Sequence, residues 1–434
     1  MAKARIIILG TGLAGLSVAY HLQKKGIDYE VFEKEDTPGG LCRSKNIDGF
    51  TFDHSGHLLH FKYKYTYDLI RDLLNNNLIQ HKRNSWVYAF NAYIPYPFQA
   101  NLFGLPPKIT KDCLLGFIQA ANNGRYKKNN DTNFRDWVYQ TFGNGIARYF
   151  MLPYNKKFWT VSPSQLTCDW VNGLVPQPSL EDVIEGTVSR SSKAWGYNAH
   201  FWYPKNGGIQ ELALAFARRI NKINLSCSCP KIDIKNKEIS FMDGRQEKFD
   251  KLISTIPLPE LANVIEGLPK SITSSFKKLR WVSILNLNLG IDRENISDKH
   301  WIYFPQENFV FFRVGFPHSF SSTLVPTNKS SLYIEISYSW NKPINKNNIV
   351  SRIIRDLIKA QVISNSDRIL VQDINDIRYG YPVYDYNYRL ARESILKFLS
   401  QNHILSCGRY GNWQYMSMED VILDGKKLAD NLKV

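Results

Sequence analysis

The sequence predicts an α/β fold in which a parallel-sheet domain, assembled from both ends of the chain, carries inserted helical and antiparallel-sheet domains. Three observations support this fold class. An apolar strand, a glycine-rich turn and a helix follow one another in residues 5–25. A strand, a glycine turn and a helix also close the chain in residues 404–432. Between these ends, residues 282–339 contain segments that alternate apolar and polar side chains, as antiparallel strands do.

The first predicted strand is residues 5–9 (RIIIL), a short apolar and β-branched run that is typical of a buried parallel strand. Residues 16–25 have the apolar spacing of a helix, and Gly26 is placed to end it. Residues 28–32 predict a second strand. The opening segment therefore predicts the strand–helix–strand unit of a parallel sheet.

Three glycines with Gly-x-Gly-x-x-Gly spacing join the first strand to the helix. Gly10 permits the tight turn, Gly12 lets a pyrophosphate approach the backbone, and Gly15 lets the helix pack against the strand. The helix N-terminus offers free N–H groups to the phosphates. Glu33, which follows the second strand, is placed to accept hydrogen bonds from a ribose diol. This unit predicts a dinucleotide site.

Residues 38–44 (PGGLCRS) indicate which dinucleotide the chain favours. A second glycine pair, Gly39–Gly40, follows the second strand, and Arg43 can reach a phosphate or a flavin. The segment resembles the second FAD motif of the glutathione-reductase-like flavoproteins, which a simple NAD dehydrogenase does not need. The alternative is a glycine turn without a ligand. We expect a Rossmann-type FAD-binding domain.

The C-terminal segment supports the same cofactor. Residues 404–406 predict a strand, residues 408–411 a glycine turn, and Ser417 and Asp420 the N-cap and third position of a final helix. In the flavoproteins that the chain resembles, the last helix directs its N-terminus at the flavin, where its dipole stabilises negative charge. We therefore expect an FAD-binding domain formed by residues 1–64, 205–280 and 400–434.

The middle of the chain predicts two inserted substrate domains. Residues 65–204 are expected to form a mainly helical cap domain, with helices over 109–122 and 134–149. Residues 281–399 are expected to form an antiparallel sheet at the floor of a substrate site. The predicted strands of that sheet are residues 282–291, 301–304, 309–314 and 332–339.

Composition excludes several other classes of protein. The net charge is +16, from 55 Lys and Arg against 39 Asp and Glu, but no block of five basic residues occurs. Nucleic-acid binding is therefore not expected. No apolar run reaches the 18 or so residues that a membrane helix needs, and the N-terminus does not resemble a signal peptide. Six scattered cysteines lack metal-ligand spacing. We expect a cytoplasmic protein without a metal site or a membrane span.

Several motifs occur in the order found in one family, the UDP-galactopyranose mutases, and the eukaryotic-type branch is the nearer one. They span nearly the whole chain. The motifs are Gly56–His57 after Asp53, and residues 96–99 (YPFQ), 153–159 (PYNKKFW), 301–305 (WIYFP), 312–313 (FR), 380–382 (GYP) and 408–415 (GRYGNWQY). The wider group that shares such patterns includes the protoporphyrinogen and amine oxidases.

The resemblance implies an enzyme that acts on a nucleotide-diphosphate sugar during glycan or polysaccharide biosynthesis. In the mutases, N5 of the reduced flavin attacks the anomeric carbon of UDP-galactopyranose, and the ring contracts without net redox change. FAD must first be reduced, and NADPH or NADH is the expected reductant. The alternative is an FAD-dependent oxidoreductase, similar to the protoporphyrinogen and amine oxidases, that oxidises a small molecule.

The resemblance also assigns residues. His57, on a loop beside the flavin, and Arg313, which grips the diphosphate, are the implied catalytic residues. The implied substrate-binding residues are Tyr96, Gln99, Tyr154, Asn155, Trp159, Tyr303, Arg313, Tyr381 and Tyr415. The expected cofactor-binding residues are Gly10, Gly12, Leu13, Ala14, Gly15, Glu33, Lys34, Gly39, Gly40, Leu41, Arg43, Ser44, Gly56, His57, Gly408, Arg409, Tyr415, Met416 and Ser417.

The chain departs from the family pattern at two positions. Leu152 stands where the family has a diphosphate-binding arginine, just before Pro-Tyr-Asn. The expected replacements for that cation are Lys156, Lys157 or Arg190; otherwise the substrate is a different molecule. In addition, the Gly-Gly-His of the flavin loop is Ser55–Gly56–His57 here, and the added side chain is expected to alter the movement of the loop.

Overall fold

A computed structural model describes residues 4–123, 132–190, 193, 195–196 and 199–433. The strands are β1 (Ile6–Leu9), β2 (Glu30–Phe32), β3 (Ser44–Ile47), β4 (Phe50–Asp53), β5 (Ile79–Lys82), β6 (Ser85–Ala89), β7 (Ala92–Pro95), β8 (His200–Tyr203), β9 (Ile223–Asn224), β10 (Lys231–Asp233), β11 (Glu238–Ser240), β12 (Gln246–Lys248), β13 (Lys251–Ser254), β14 (Trp281–Ile291), β15 (Trp301–Tyr303), β16 (Arg313–Gly315), β17 (Ser330–Tyr338), β18 (Ile369–Pro382) and β19 (Ile404–Ser406).

The α-helices lie between groups of these strands along the chain. They are α1 (Leu13–Lys24), α2 (Lys64–Leu73), α3 (Pro107–Asn122), α4 (Phe134–Ile146), α5 (Leu152–Trp159), α6 (Leu180–Val188), α7 (Gln210–Ala217), α8 (Leu258–Val264), α9 (Lys270–Lys278), α10 (Ile349–Lys359), α11 (Tyr388–Gln401), α12 (Gly408–Gly411) and α13 (Met418–Asn431).

A five-stranded parallel sheet confirms the predicted α/β fold class. Its strand order is β19-β13-β1-β2-β9, so strands from both ends of the chain lie side by side. β1 is fully buried at the centre, which explains its unbroken apolar sequence. α1 packs against α13, and the hydroxyl of Ser17 donates to the carbonyl of Ile422 between them. The first and last predicted units therefore form one domain core.

A second sheet of seven strands has the order β18-β14-β17-β16-β15-β6-β7. All of its pairings are antiparallel except that between β15 and β6. β16 begins only at Arg313, so residues 309–312, which were predicted to belong to a strand, have no regular secondary structure. β6 and β7 come from the segment predicted to be mainly helical. Side chains alternate across this hairpin: Tyr88 and Tyr93 pack in the core of the sheet, whereas Val87 and Ile94 pack against the helices.

Helices α3 to α6 cover one side of the second sheet. α4 begins at Phe134, after the N-cap Asn133, whose side chain accepts from the N–H of Asp136 at 3.0 Å. It ends at Ile146 rather than at the predicted residue 149. A π-type turn over Ala147–Met151 then leads directly into α5. The Pro-Tyr-Asn motif is therefore the first turn of a helix.

A buried carboxylate joins the last helix to the segment that precedes α2. Glu419 in α13 is 1% exposed and accepts hydrogen bonds from the N–H groups of Lys62 and Tyr63, as well as from the hydroxyl of Thr66. These contacts hold the segment after residue 57 against α13. In the part of the chain that the structure describes, no helix has the length and apolar character needed to cross a bilayer.

Candidate functional site

A cavity of about 1140 Å³ lies between the two sheets. The glycine turn after β1 and Glu33 line one end of it, and side chains of β15, β16 and β18 line the other. α5 contributes Tyr154, Phe158 and Trp159 to its wall. The cavity therefore connects the predicted dinucleotide site with the predicted substrate site.

The space around Gly12 and Gly15 shows whether this end of the cavity can hold a dinucleotide. A Cβ atom on Gly15 would lie 1.9 Å from the carbonyl oxygen of Gly10, so this glycine is required for packing of α1 on the strand. A Cβ on Gly12 would meet only the Cα of Gly40, at 4.0 Å, and Gly12 lines the cavity. The protein itself leaves room for a side chain at Gly12, and the free space there fits a pyrophosphate.

Glu33 occupies the position expected for the ribose end of a dinucleotide. It is 7% exposed, and one of its carboxylate oxygens accepts hydrogen bonds from the N–H and hydroxyl of Thr11, at 2.7 and 2.8 Å. Its second oxygen accepts from the N–H of Glu35 at 3.1 Å. The carboxylate is therefore held in place, with lone pairs left for a diol.

The second glycine pair lies against the first glycine turn. Gly39 bridges to Gly12, and its N–H donates to the carbonyl of Thr11 at 2.9 Å. Arg43 donates to the carbonyl of Gly40 at 2.9 Å and pairs with Glu35 at 3.3 Å, so its cation is partly neutralised within the loop. Lys34, Leu41 and the loop residue Gly56 also line the cavity.

The N-terminus of α13 also faces the cavity, because Met416, Ser417 and Met418 all line it. The hydroxyl of Ser417 accepts from the N–H of Asp420, and the carboxylate of Asp420 accepts from the N–H of Ser417 at 2.9 Å. This capping box leaves the N–H groups of the first turn, with the positive end of the helix dipole, beside the cavity.

Arg409 is a partly buried cation that lines the cavity beside β18. Its guanidinium donates to the carbonyl of Gly380 at 3.0 Å and lies 4.7 and 4.8 Å from the ring centroids of Tyr381 and Tyr415. Its Nε has no hydrogen-bond partner, and among the described residues no carboxylate lies within ion-pair distance. A partly buried guanidinium whose Nε–H group has no partner favours an anionic ligand.

Arg313 is a second cation on the cavity wall. Its Nη2 donates to Oε1 of Glu335 at 2.8 Å, and its Nε donates to Oε2 of the same carboxylate. The two residues lie directly opposite each other on β16 and β17. Glu335 engages two of the three guanidinium nitrogens, which leaves Nη1 for a ligand. The nearby Glu335 carboxylate raises the pKa of Arg313, so Arg313 stays charged even though burial opposes the charge.

Aromatic side chains surround the two cations. Tyr303 lies 5.3 Å from Tyr96 and 5.6 Å from Tyr154, measured between ring centroids. Tyr381 stacks on Tyr415 with centroids 6.3 Å apart. All five line the cavity. Burial raises the pKa of Tyr381 to about 12, so its hydroxyl remains protonated and able to donate to a phosphate oxygen at pH 7.

His57 also lines the cavity, and its Nδ1 lies 3.2 Å from the carbonyl oxygen of Ser55. Burial is the main cause that lowers its pKa to about 4, and the positive charge of Arg409 lowers it further. The imidazole is therefore neutral at pH 7. With Nδ1 protonated toward Ser55, Nε2 is an acceptor for a ligand proton.

Five of the predicted site residues do not line the cavity. Gln99 is 2% exposed and donates to the carbonyl of Pro176 at 2.8 Å. The amide of Asn155 donates to the carbonyl of Met151, one turn earlier in the chain. Gly15, Ser44 and Gly408 lie behind the cavity: the hydroxyl of Ser44 donates to Asp53 at 2.6 Å, and a Cβ on Gly408 would meet Ala14 at 2.4 Å.

The structure corrects the expectation that a nearby cation replaces the arginine that the family has at position 152. Leu152 begins α5 and packs against the apolar core, so its side chain does not reach the cavity wall. Lys156 pairs with Glu307 at the surface, and Lys157 is buried with its Nζ on the carbonyls of Phe304, Gln306 and Phe311. Arg190, the third candidate, is exposed and also lies outside the cavity lining.

Two residues that act on this site were not predicted. Glu335 orients Arg313, and the hydroxyl of Tyr384 accepts from the N–H of Tyr415 at 2.6 Å. Glu335 had a recognisable sequence signal, since it is the single acidic residue within β17, where every other side chain is apolar or hydroxyl-bearing. A lone acid in such a strand indicates a buried partner of opposite charge.

Comparison with known proteins assigns the family. Residues 13–433 match the family described as flavin containing amine oxidoreductase. The chain belongs to this family. Its fold is that of the FAD-dependent amine oxidase-type enzymes, and the family implies FAD as the cofactor.

Individual relatives differ in what they do. A reduced UDP-galactopyranose mutase structure is 29% identical, with a TM-score of 0.93 over 98% of this chain and 95% of that one. Cyclohexylamine oxidase from Brevibacterium oxydans IH-35A shares the fold at 14% identity and a TM-score of 0.68, over 99% and 98% of the two chains. A zeta-carotene-forming phytoene desaturase from Myxococcus xanthus is 47% identical over 49 residues, which are 11% of this chain and only 10% of its own length.

Proposed function

We propose that this flavoenzyme acts on a nucleotide-diphosphate sugar and interconverts UDP-galactopyranose and its furanose form. The observation that carries the proposal is the pair of partly buried guanidinium groups, Arg313 and Arg409, beside the protonated phenols of the cavity. Such an arrangement suits a diphosphate, because planar guanidinium groups and hydroxyls both donate to phosphate oxygens. The similarity to a UDP-galactopyranose mutase over nearly the full length of both chains supports the proposal.

The charge of Arg409 argues against an amine substrate at its end of the cavity. An alkylamine is a cation at pH 7 and Arg409 would repel it, whereas the charge of Arg313 is balanced by Glu335. A positive charge also gives no advantage to an uncharged polyene. A doubly negative diphosphate, by contrast, would compensate the charge of Arg409, which the described residues leave without a carboxylate partner.

Different residues of the cavity would have different roles in such a reaction. Reduced FAD, when bound, supplies an electron-rich nitrogen that can displace a diphosphate from an anomeric carbon. Arg313 and the phenols would hold the departing diphosphate and stabilise its charge. The N-terminal turn of α13 would stabilise negative charge beside it. Neutral His57 would accept a hydrogen bond rather than add a third positive charge. We further expect NADPH or NADH as the reductant, and a place in cytoplasmic glycan or polysaccharide biosynthesis.

An anaerobic assay tests the proposal. The purified holoenzyme is reduced with dithionite, UDP-galactopyranose is added, and the UDP-sugars are separated by chromatography. We expect a new UDP-sugar with reduced enzyme and none with oxidised enzyme or with free reduced FAD. Arg313→Ala should form far less of it at low substrate concentration. Absence of the product, with FAD fully bound and reduced, would refute the mutase reaction.

A second candidate function is oxidation of a small molecule by FAD. The sequence similarity to carotenoid desaturases and the structural similarity to amine oxidases favour it. An oxidase would reduce its own flavin when the donor is added without dithionite. Bleaching of the oxidised flavin by a polyene or amine donor, together with no change in UDP-galactopyranose, would replace the mutase proposal by this one.

A further inference from the structure

Three polar side chains form a continuous link between the flavin loop and Arg313. The hydroxyl of Ser55 donates to Oε1 of Glu335, and Nη2 of Arg313 donates to the same oxygen at 2.8 Å. Glu335 is only 2% exposed, so water does not compete for its oxygens. We propose that Ser55 is a positioning residue, which acts through Glu335 to fix Arg313 for binding of a diphosphate. This inference rests on the proposed nucleotide-diphosphate substrate.

The sheet fixes the backbone positions of Arg313 and Glu335 but leaves their paired side chains free to rotate. Arg313 and Glu335 are direct neighbours on antiparallel strands, so their Cα positions are set by the sheet. A guanidinium–carboxylate pair with only two contacts can still pivot about its own axis. The Ser55 hydroxyl adds a third contact to the carboxylate from a different part of the chain. The direction of the remaining nitrogen, Nη1, then depends on Ser55.

The conformation of Ser55 shows that its hydroxyl is what this residue contributes. Its φ is +74°, in the left-handed region that glycine adopts more readily than serine. The next residue, Gly56, cannot carry a Cβ, because that atom would lie 2.6 Å from the ring of Tyr333. The loop is therefore pressed against β17. A glycine at position 55 would suit the backbone better, but it could not reach Glu335.

The same residue also contacts the other side of the site. The carbonyl of Ser55 faces Nδ1 of His57 at 3.2 Å, while its hydroxyl faces Glu335. Ser55 thus joins a cavity-lining imidazole of the loop to a cavity-lining guanidinium of the sheet. A molecule that spans His57 and Arg313 would meet both ends of this link in a defined geometry.

Two substitutions separate the hydroxyl from the backbone. Ser55→Ala removes the hydroxyl and keeps the unfavourable φ, whereas Ser55→Gly removes the hydroxyl and relieves it. We expect both holoenzymes to bind UDP and inorganic pyrophosphate about 3- to 10-fold more weakly, the usual value of one hydrogen bond. Ser283→Ala is the matched control. Its hydroxyl donates to the carbonyl of Arg378 in the same sheet, away from this link, and UDP binding should not change.

A double-mutant cycle tests whether Ser55 acts through Arg313. In an Arg313→Lys background the fork that Glu335 orients is gone, so Ser55→Ala should change UDP affinity by less than about 2-fold. An equal loss in both backgrounds would show a general structural role and overturn the inference. Unchanged UDP affinity in Ser55→Ala and Ser55→Gly would also overturn it.

The outcomes separate this inference from the proposed function. If the wild-type holoenzyme binds neither UDP nor pyrophosphate, Arg313 is not an anion site and the inference falls. If the Ser55 variants lose UDP affinity as expected but reduced enzyme forms no furanose, the positioning role stands and the mutase reaction is refuted. If furanose forms and the Ser55 variants bind UDP as the wild type does, only the inference is overturned.

Discussion

Replacement of Arg313 by alanine is the substitution that most directly probes the anion site. The side chain lies on the cavity wall, and two of its nitrogens are held by Glu335, so one nitrogen remains for a ligand. A hydrogen bond to a charged group is worth about 1.5–3 kcal/mol, which corresponds to roughly 10- to 150-fold in a dissociation constant. We expect the Kd for UDP to rise by that factor in Arg313→Ala.

The same substitution also changes stability, for a different reason. Glu335 would be left buried and without its cation, and the loss of one partner from a buried pair costs about 3–5 kcal/mol. The double variant Arg313→Ala/Glu335→Gln removes the uncompensated charge. It should regain part of the free energy of unfolding, while its affinity for UDP stays low. This pair of variants separates binding from folding.

The measurements are a UDP titration of the holoenzyme by calorimetry and a urea unfolding curve for each variant. Arg313→Lys keeps the charge without the planar fork, so its Kd should lie between those of the wild type and Arg313→Ala. A Kd for UDP that is the same in Arg313→Ala and the wild type, with FAD fully bound in both, would refute the reasoning and remove Arg313 from the substrate site.

Three further predictions follow from the geometry. Gly12→Ala should keep the fold, because its Cβ would meet no atom closer than 4.0 Å, but it should retain much less FAD. Gly15→Ala should lose both stability and FAD, because its Cβ would lie 1.9 Å from a carbonyl oxygen. Flavin absorbance per protein and thermal unfolding measure the two effects, and full FAD retention in Gly12→Ala would contradict the pyrophosphate position. The pKa of His57 is lowered to about 4, below the model-peptide value of about 6.5. The unfolded state therefore binds the proton more tightly, and the stability from His57 is fully present above pH 6.5 and is lost as the pH falls toward 4. In His57→Gln, the free energy of unfolding should fall less than in the wild type between pH 6.5 and pH 4, by up to about 3 kcal/mol. An unchanged pH dependence of the unfolding free energy would contradict the lowered pKa. Lys157→Met keeps the aliphatic stem but removes a buried Nζ from three carbonyls, and should cost about 2–4 kcal/mol of unfolding free energy with little change in UDP affinity. An equal unfolding midpoint in that variant would show that the three hydrogen bonds are not needed.

Helix α5 shows why motif residues could be recognised but not assigned to the site. Tyr154 and Phe158 are four residues apart, so they share one helix face and line the cavity. Leu152 packs against the core, and the amide of Asn155 donates to the preceding turn although Asn155 lies four residues before the cavity-lining Trp159. A resemblance marks the whole segment as functional. The position of the helix in the fold and the hydrogen bonds of each side chain select which of them reach a ligand.

The sequence by itself determined the parts of this protein that are local in the chain. The glycine turn after β1, Glu33 after β2 and the capped start of α13 each depend on neighbours within a few residues, so spacing and residue type sufficed to predict them. β18 was not predicted, because it pairs only with β14 at the edge of its sheet and exposes polar residues such as Asp376.

The resemblance named Arg313, Arg409 and Tyr154, but only the tertiary structure brings them together. They come from β16, from α12 (a short helix where residues 408–411 were predicted to be a glycine turn) and from α5, and packing of the two sheets brings these distant segments to one cavity. The partner of Arg313 was decided in the same way, since Glu335 faces it across two antiparallel strands. Such contacts depend on sheet register and strand order, which residue spacing along a single chain does not specify.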